Sequence, residues 1–302
     1  MRRQVGRVVA AVATVGVVVS GCGSGPSQVG AAAIVGSTAV PLEQVQSRLD
    51  VALGKTDALA QLQSSGVGPP EIARDVVTST VLHDLLARTA AAEGIVVTEA
   101  DVDAALEQGG GVDAALSQSL YDLPALRDRI RDRIIAIRHA QRLVPGLTVT
   151  ADLIAAGSRD DAAEKARVLA AGGPAADAMF AQNPDTSRRG ISYQATTSPE
   201  VASTVLFGLP AGRTAYFQPS PEQGSFIVLR VTERRDDPNA DLSAANALAE
   251  SDLAAIGQRL VQPLAEEVGV RVNPRYGVWD PVSMRVVAAD RTTGAILPPT
   301  AA

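Results

Sequence analysis

The chain has 302 residues, 46% hydrophobic and 20% charged, which excludes wholesale disorder and a collagen-like rod and allows one to three domains. Aromatics make up only 3%, so the core must be built from Ala, Val, Leu and Ile, and the fold is expected to be mostly helical within an α+β class. The formal charge of −6 argues against a nucleic-acid surface, and one cysteine, Cys22, excludes an intrachain disulfide and a thiolate metal cluster.

Chain order begins with Arg2, Arg3 and Arg7, an apolar run from Val8 to Val19, and the tetrad Val19-Ser20-Gly21-Cys22. A basic segment, an apolar stretch too short to span a bilayer and small residues before the cysteine predict a secretory signal over 1–21. The tetrad resembles a bacterial lipobox, whose thiol takes a diacylglycerol and becomes the mature N-terminus. Cys22 is therefore the expected lipidation site, and the protein is expected on the extracytoplasmic face of the cell membrane, held by an N-terminal lipid anchor. Residues 22–30, rich in Gly, Ser and Pro, read as a flexible tether.

In the mature chain, Ala31 to Val35 is a candidate strand and Pro41 opens a helix with Leu42, Val45, Leu49 and Leu53 on one face. Gln61 to Pro70 reads as a loop. Glu71 to Glu93 is a long helix stopped by Gly94, and Thr98 with Asp101 forms a capping-box variant for a short helix that Gly109-Gly110-Gly111 breaks. Pro124 to Leu143 places Leu126, Ile130, Ile134, Ile137 and Ala140 on one stripe. The period then changes: Leu147, Val149, Ala151 and Leu153 alternate as in a half-buried strand, and Ser158 caps a helix to about Ala171. A short helix to Ala181, a polar turn from Asn183 to Gly190, a helix or turn over Val201 to Leu209 and a strand over Ser225 to Val231 follow. A last helix, Leu242 to Val268, is expected to kink at Pro263, with Val270 to Val272 a short strand and no sustained pattern beyond Asp280.

Common chemistries are missing from this string. It has no Gly-x-Ser-x-Gly elbow, no His-Glu-x-x-His pair and no phosphate-binding loop. His83 and His139 sit on predicted helices among charged residues and read as packed or solvated. Asp160-Asp161 and Glu266-Glu267 are adjacent on helices and point apart, so capping and solvation suit them better than acid/base work. Arg127, Arg129, Arg131 and Arg133 alternate with Asp128 and Asp132 and read as a solvated helix face. No catalytic residue, cofactor or metal is expected.

The order of these pieces resembles the SurA/PrsA class of extracytoplasmic foldases, most closely actinobacterial lipoproteins with a SurA-type N-terminal domain. The resemblance rests on Ala33-Ile34-Val35-Gly36, on Leu85 to Ala90 followed by Gly94 to Val102, on Ser158 to Ala162, on Phe207-Gly208-Leu209-Pro210-Ala211-Gly212 and on Phe226 to Val231. It implies a helical SurA N-terminal-like domain at 31–146, a parvulin-like module at 147–236, and a C-terminal helix and strand at 237–280 returning to the helical domain, with 281–302 a tail. It also implies clients that are unfolded or secreted polypeptides. Active parvulins carry a histidine on the first strand and another on the last; here those positions correspond to Asp152 and Ile227, and no histidine follows His139. The resemblance therefore implies a chaperone-like protein with a degenerate, inactive isomerase module. The alternatives are an active peptidyl-prolyl isomerase and a solute-binding lipoprotein. Oligomeric state is not legible.

Overall fold

Short alternating segments of this chain pair as antiparallel strands, and the longer three-to-four-residue periods become helices packed on both sides of them. The structure, a computed structural model, describes residues 29–117, 119–220 and 224–298. The expected signal over 1–21 and Cys22 lie outside the described residues.

The first half contains β1 (Ala31–Val35), β2 (Thr38–Pro41), α1 (Leu42–Gly54), α2 (Thr56–Ser64), α3 (Pro69–Glu93), α4 (Glu99–Gln108), α5 (Val112–Ser117) and α6 (Leu123–Leu143). Pro69 and Pro70 start α3 where a missing N–H costs nothing, and Gly94 ends it at φ 64°, a conformation that favours glycine. The box at the start of α4 forms as the sequence indicates: Thr98 Oγ1 accepts from the Asp101 amide, and the Thr98 amide donates to Asp101. The expected loop from Gln61 to Pro70 shrinks to four residues, because α2 continues to Ser64. The α6 stripe is also corrected. Ala125, Ile135, Ala136, His139 and Ala140 are buried, while Leu126, Ile130, Ile134 and Ile137 are half-buried, because α6 lies between α3 and a later helix and is covered on two sides.

The middle holds β3 (Leu147–Ala156), α7 (Arg159–Ala171), α8 (Gly173–Gln182), β4 (Ser187–Gln194), α9 (Pro199–Ala202), α10 (Val205–Gly208), β5 (Thr214–Phe217) and β6 (Phe226–Asp236). The polar turn expected from Asn183 to Gly190 is half strand: β4 starts at Ser187 and pairs with β3, with a bulge at Arg189 and Gly190 opposite Asp152. One face of the sheet, carrying Ile154, Ala156, Phe226 and Val228, packs on Ala162, Ala166 and Leu169 of α7. The other, with Val149, Ala151, Leu229 and Val231, packs on Phe207, Leu253, Ile256 and Leu260.

The single last helix is corrected to a 3-10 turn at Leu242–Ala247, α11 (Glu250–Leu260) and α12 (Gln262–Val268). Pro263 lacks an amide proton and its ring would strike the carbonyl four residues back, so α11 stops and the chain restarts with Pro263 in the first turn of α12. β7 (Val270–Val272) then pairs with β1, completing a sheet of order β2-β1-β7. Residues 281–302, expected as a patternless tail, supply two strands. β8 (Val278–Asp280) and β9 (Arg285–Val287) form a hairpin on α3, and β10 (Gly294–Ile296) pairs with β5 to give a five-stranded sheet of order β10-β5-β6-β3-β4. The fold is α+β with antiparallel sheets.

Candidate functional site: an arginine-lined cleft

α3, α6, α11 and the turn between β8 and β9 surround an open cleft of about 650 Å³. Each wall is fixed by a local device. The β9 wall hangs on α3 through Thr78, whose hydroxyl donates to the Arg74 carbonyl and accepts from the Val286 amide. The turn before β9 is held by Asp280, a fully buried carboxylate that accepts from the Val282 amide, the Ser283 hydroxyl, and both the amide and hydroxyl of Thr293. In that turn Met284 takes φ 54°, the one non-glycine residue with positive φ among the described residues, and its side chain is buried against the α3 core. Backbone strain of this kind persists only where surrounding contacts over-determine it, here the Asp280 bonds. The α11 wall is brought close by Gly257, which lies against the backbone of Ala136 in α6.

The floor is apolar, its accessible surface coming from the half-buried Leu82 and Ile130 and the exposed Ala255 over the buried Leu86, Ala254 and Met284, while the rim carries the exposed Arg129, Arg133 and Arg285. Among the rim charges, Asp75 is shared: Arg129 is 3.8 Å from it and Arg285 3.4 Å, and the Tyr121 hydroxyl donates to it at 3.1 Å. Burial and the nearby Asp75 carboxylate push the Tyr121 phenol up to about 12. Arg129 also lies over the Tyr121 ring at 4.5 Å. Asp132, the second acidic residue of the lining, is buried and accepts from Nδ1 of His83 at 2.8 Å. That hydrogen bond raises the His83 imidazole above its ordinary value and favours its charged form. At the base of the cleft Arg259 is 9% exposed, its Nε donating to the Ser203 carbonyl and its Nη1 to Gln262 Oε1. Burial draws the Arg259 guanidinium down to about 10.

The residues singled out from sequence fall elsewhere. Asp152 lies on β3 opposite Arg230 of β6, and Oδ1 accepts the Gly190 amide that the bulge frees, at 2.9 Å. Ile227 pairs with Ala155, three positions from Arg230, and so projects from the other face of the sheet. The structure does not bring the two together, and neither lines the cleft. His139 is buried, with Nδ1 2.9 Å from Glu93 Oε2 and no hydrogen-bond partner for Nε2. Asp161 caps α7 through the Gly157 amide, as its position suggests. The arginines of α6, expected as a solvated face, divide instead. Arg127 and Arg131 bind Glu99, and Arg138 binds Asp101, clamping α4, while Arg129 and Arg133 turn to the cleft. Asp101, held by Arg138, is drawn down to about 2. Met284 and Arg285 were missed because their wall comes from the supposed tail; the pair of short apolar runs around Pro281 to Ser283 is the one signal that marks it.

No protein-family model matches the chain, and no curated protein matches its sequence. Among solved structures the chain is similar to the foldase protein PrsA from Lactococcus lactis, with 12% identity and a TM-score of 0.25 over 81% of this chain and 95% of that one. It is also similar to the foldase protein PrsA from Streptococcus pneumoniae, with 16% identity and a TM-score of 0.23 over 65% of this chain and 83% of that one.

Proposed function

We propose that the chain is a lipid-anchored, extracytoplasmic chaperone of the foldase kind that holds extended polypeptide segments in the cleft, and that its parvulin-like module at 147–236 lacks isomerase activity. The cleft carries the reading: an open trough with an apolar floor and a charged rim suits a flexible chain of mixed composition, because apolar contact with rapid release needs no catalytic group. The proposed insertion of the module into a helical domain is supported by its two connections running side by side, the Asp237 amide donating to the Gly146 carbonyl at 3.1 Å. Its return to that domain is supported by the β7–β1 pairing. Loss of isomerase activity is supported by the commitment of Asp152 to the bulge and by the lack of any histidine after His139. Rotation about a peptide bond faces a barrier of about 18–20 kcal/mol, which only groups aimed at the twisted state reduce.

The test is aggregation of an unfolded client with the purified mature chain, alongside Ala255→Trp. Ala255 is exposed on α11 and lines the cleft, so the indole fills it without entering the core. The native chain is expected to slow aggregation at equimolar concentration and the variant to lose most of that effect at an unchanged melting temperature. Equal protection by both would sink the cleft as the holding site.

A further inference from the structure

The cleft is electropositive in a protein whose formal charge is −6: four arginines line it against two aspartates, and Asp132 is already bonded to His83. The rim arginines are loosely held. Arg129 and Arg285 share Asp75 at 3.8 and 3.4 Å, and Arg133 lies 3.9 Å from Glu250. Arg259 at the base is more unusual. It is about nine-tenths buried, its hydrogen bonds go to two neutral oxygens, and Asp280, the carboxylate whose charge acts on it, already accepts four hydrogen bonds from other groups. A buried guanidinium with no carboxylate hydrogen-bonded to it is only partly compensated, and an anion that reaches it relieves the remaining cost. Its planar fork suits a carboxylate, which can accept two parallel hydrogen bonds.

We propose that the cleft selects acidic polypeptide segments, seating a carboxylate on Arg259 while Arg129, Arg133 and Arg285 hold further acidic side chains and the apolar floor takes the residues between them. This deepens the client-holding reading and rests on it. The accessible apolar surface of Leu82, Ile130 and Ala255 between the arginines favours a peptide with alternating acidic and apolar residues over a bare phosphate or a nucleic-acid backbone, which would leave that surface uncovered. Positive potential focused by the apolar walls would also speed capture of such segments, with a rate that falls as salt rises.

The experiment is fluorescence anisotropy with the full mature chain and three labelled peptides of equal length: alternating Leu and Glu, the same with Gln for Glu, and the same with Lys. The Glu peptide is expected to bind about tenfold or more tightly than the Gln peptide, with the Lys peptide weakest and added salt narrowing the gap. Arg259→Gln should remove most of the preference. Because that substitution disturbs a buried site, Arg133→Gln and Arg285→Gln, both exposed, serve as the second pair and should each weaken Glu-peptide binding several-fold while leaving Gln-peptide binding unchanged. Equal binding of Glu and Gln peptides, with client aggregation still suppressed, would overturn the acidic selection and leave the holding role standing. Binding of no peptide, with no suppression of aggregation, would remove the holding role as well. Displacement of the Glu peptide by an equal concentration of single-stranded oligonucleotide would overturn the assignment to polypeptide.

Discussion

Gly257→Ala tests the packing that creates the cleft. A methyl group at Gly257 would fall on the Ala136 peptide unit, 2.5 Å from its carbonyl carbon and 2.9 Å from its Cα, where real contacts are essentially never under 3.0 Å. Both partners are helical backbone, so the conflict is not relieved by a side-chain rotation, and α11 must move away from α6 by about 1 Å. That motion draws Leu253, Ile256 and Leu260, all buried, out of register with the sheet core. Each contributes about 2 kcal/mol by burial, and a gap of this size forfeits a quarter to a half of close contact, or about 1.5–3 kcal/mol for the three together. Strain from overpacking adds about 1–2 kcal/mol, and the better helix propensity of Ala returns about 1 kcal/mol. The net loss is about 1.5–4 kcal/mol, enough to lower the thermal midpoint by about 4–10 °C in a chain of this size. Gly54→Ala is the control, since that position has open space and an ordinary φ, and it should be neutral or slightly stabilising. Denaturant titration of both variants gives the answer. A Gly257→Ala midpoint equal to that of the native chain would refute the close approach of α6 and α11.

The His83–Asp132 pair predicts a pH dependence. His83 has its folded pKa raised above the ordinary 6.5, so the stability it contributes is fully present below about pH 6.5 and is lost as pH rises through the raised value; melting temperatures between about pH 6 and 8 should fall more steeply for the native chain than for His83→Gln, and parallel curves would count against the pair. Asp280→Ala removes four hydrogen bonds to a fully buried carboxylate and should cost about 3–5 kcal/mol, with amide protection lost first across the β8–β9 hairpin and β10 in hydrogen exchange. Cys22→Ala should block lipidation; partition of the substituted chain into detergent at the size of the processed form would show that the anchor lies elsewhere.

Much of the fold was legible because its local signals are strong and agree with one another. α3 has a proline start, a long apolar period and a glycine stop, and α4 and α7 have side-chain caps at Thr98 and Ser158. The elements that escaped are those stabilised from a distance. β4 carries Arg188, Arg189 and Gly190 and has no alternation of its own; pairing with β3, together with Asp152 on the freed Gly190 amide, makes it a strand. β9 and β10 are three residues each, too short to register as a pattern, and exist because α3 covers one and β5 pairs with the other. The stripe on α6 was misplaced for the same reason. A helix covered by α3 and α11 together has two inner faces, and a single-face reading places the wrong residues inside. Of the cleft, Arg129 and Arg133 were visible as part of a charge run, but nothing local distinguishes them from Arg127 and Arg131, which bind α4.

The same non-local dependence bears on when the cleft can exist. Its walls come from α3 and α6 in the first half, from α11 after the five-stranded sheet, and from a hairpin near the end of the described chain. α11 touches both the helical core, through Gly257 against Ala136, and the sheet core, through Leu253 and Ile256, so it cannot settle before both are present. The hairpin then closes the last wall only when Thr78 receives the Val286 amide and Asp280 collects its donors on both sides of the turn. Arg259 is buried by these late contacts, between the Ser203 carbonyl of the middle segment and Gln262 of α12. A guanidinium left in water has no need of a partner, and one buried here does. The anion-seeking character of the cleft is therefore a property of the completed fold: an incomplete chain leaves Arg259 hydrated, with no more appetite for an acidic segment than any surface arginine.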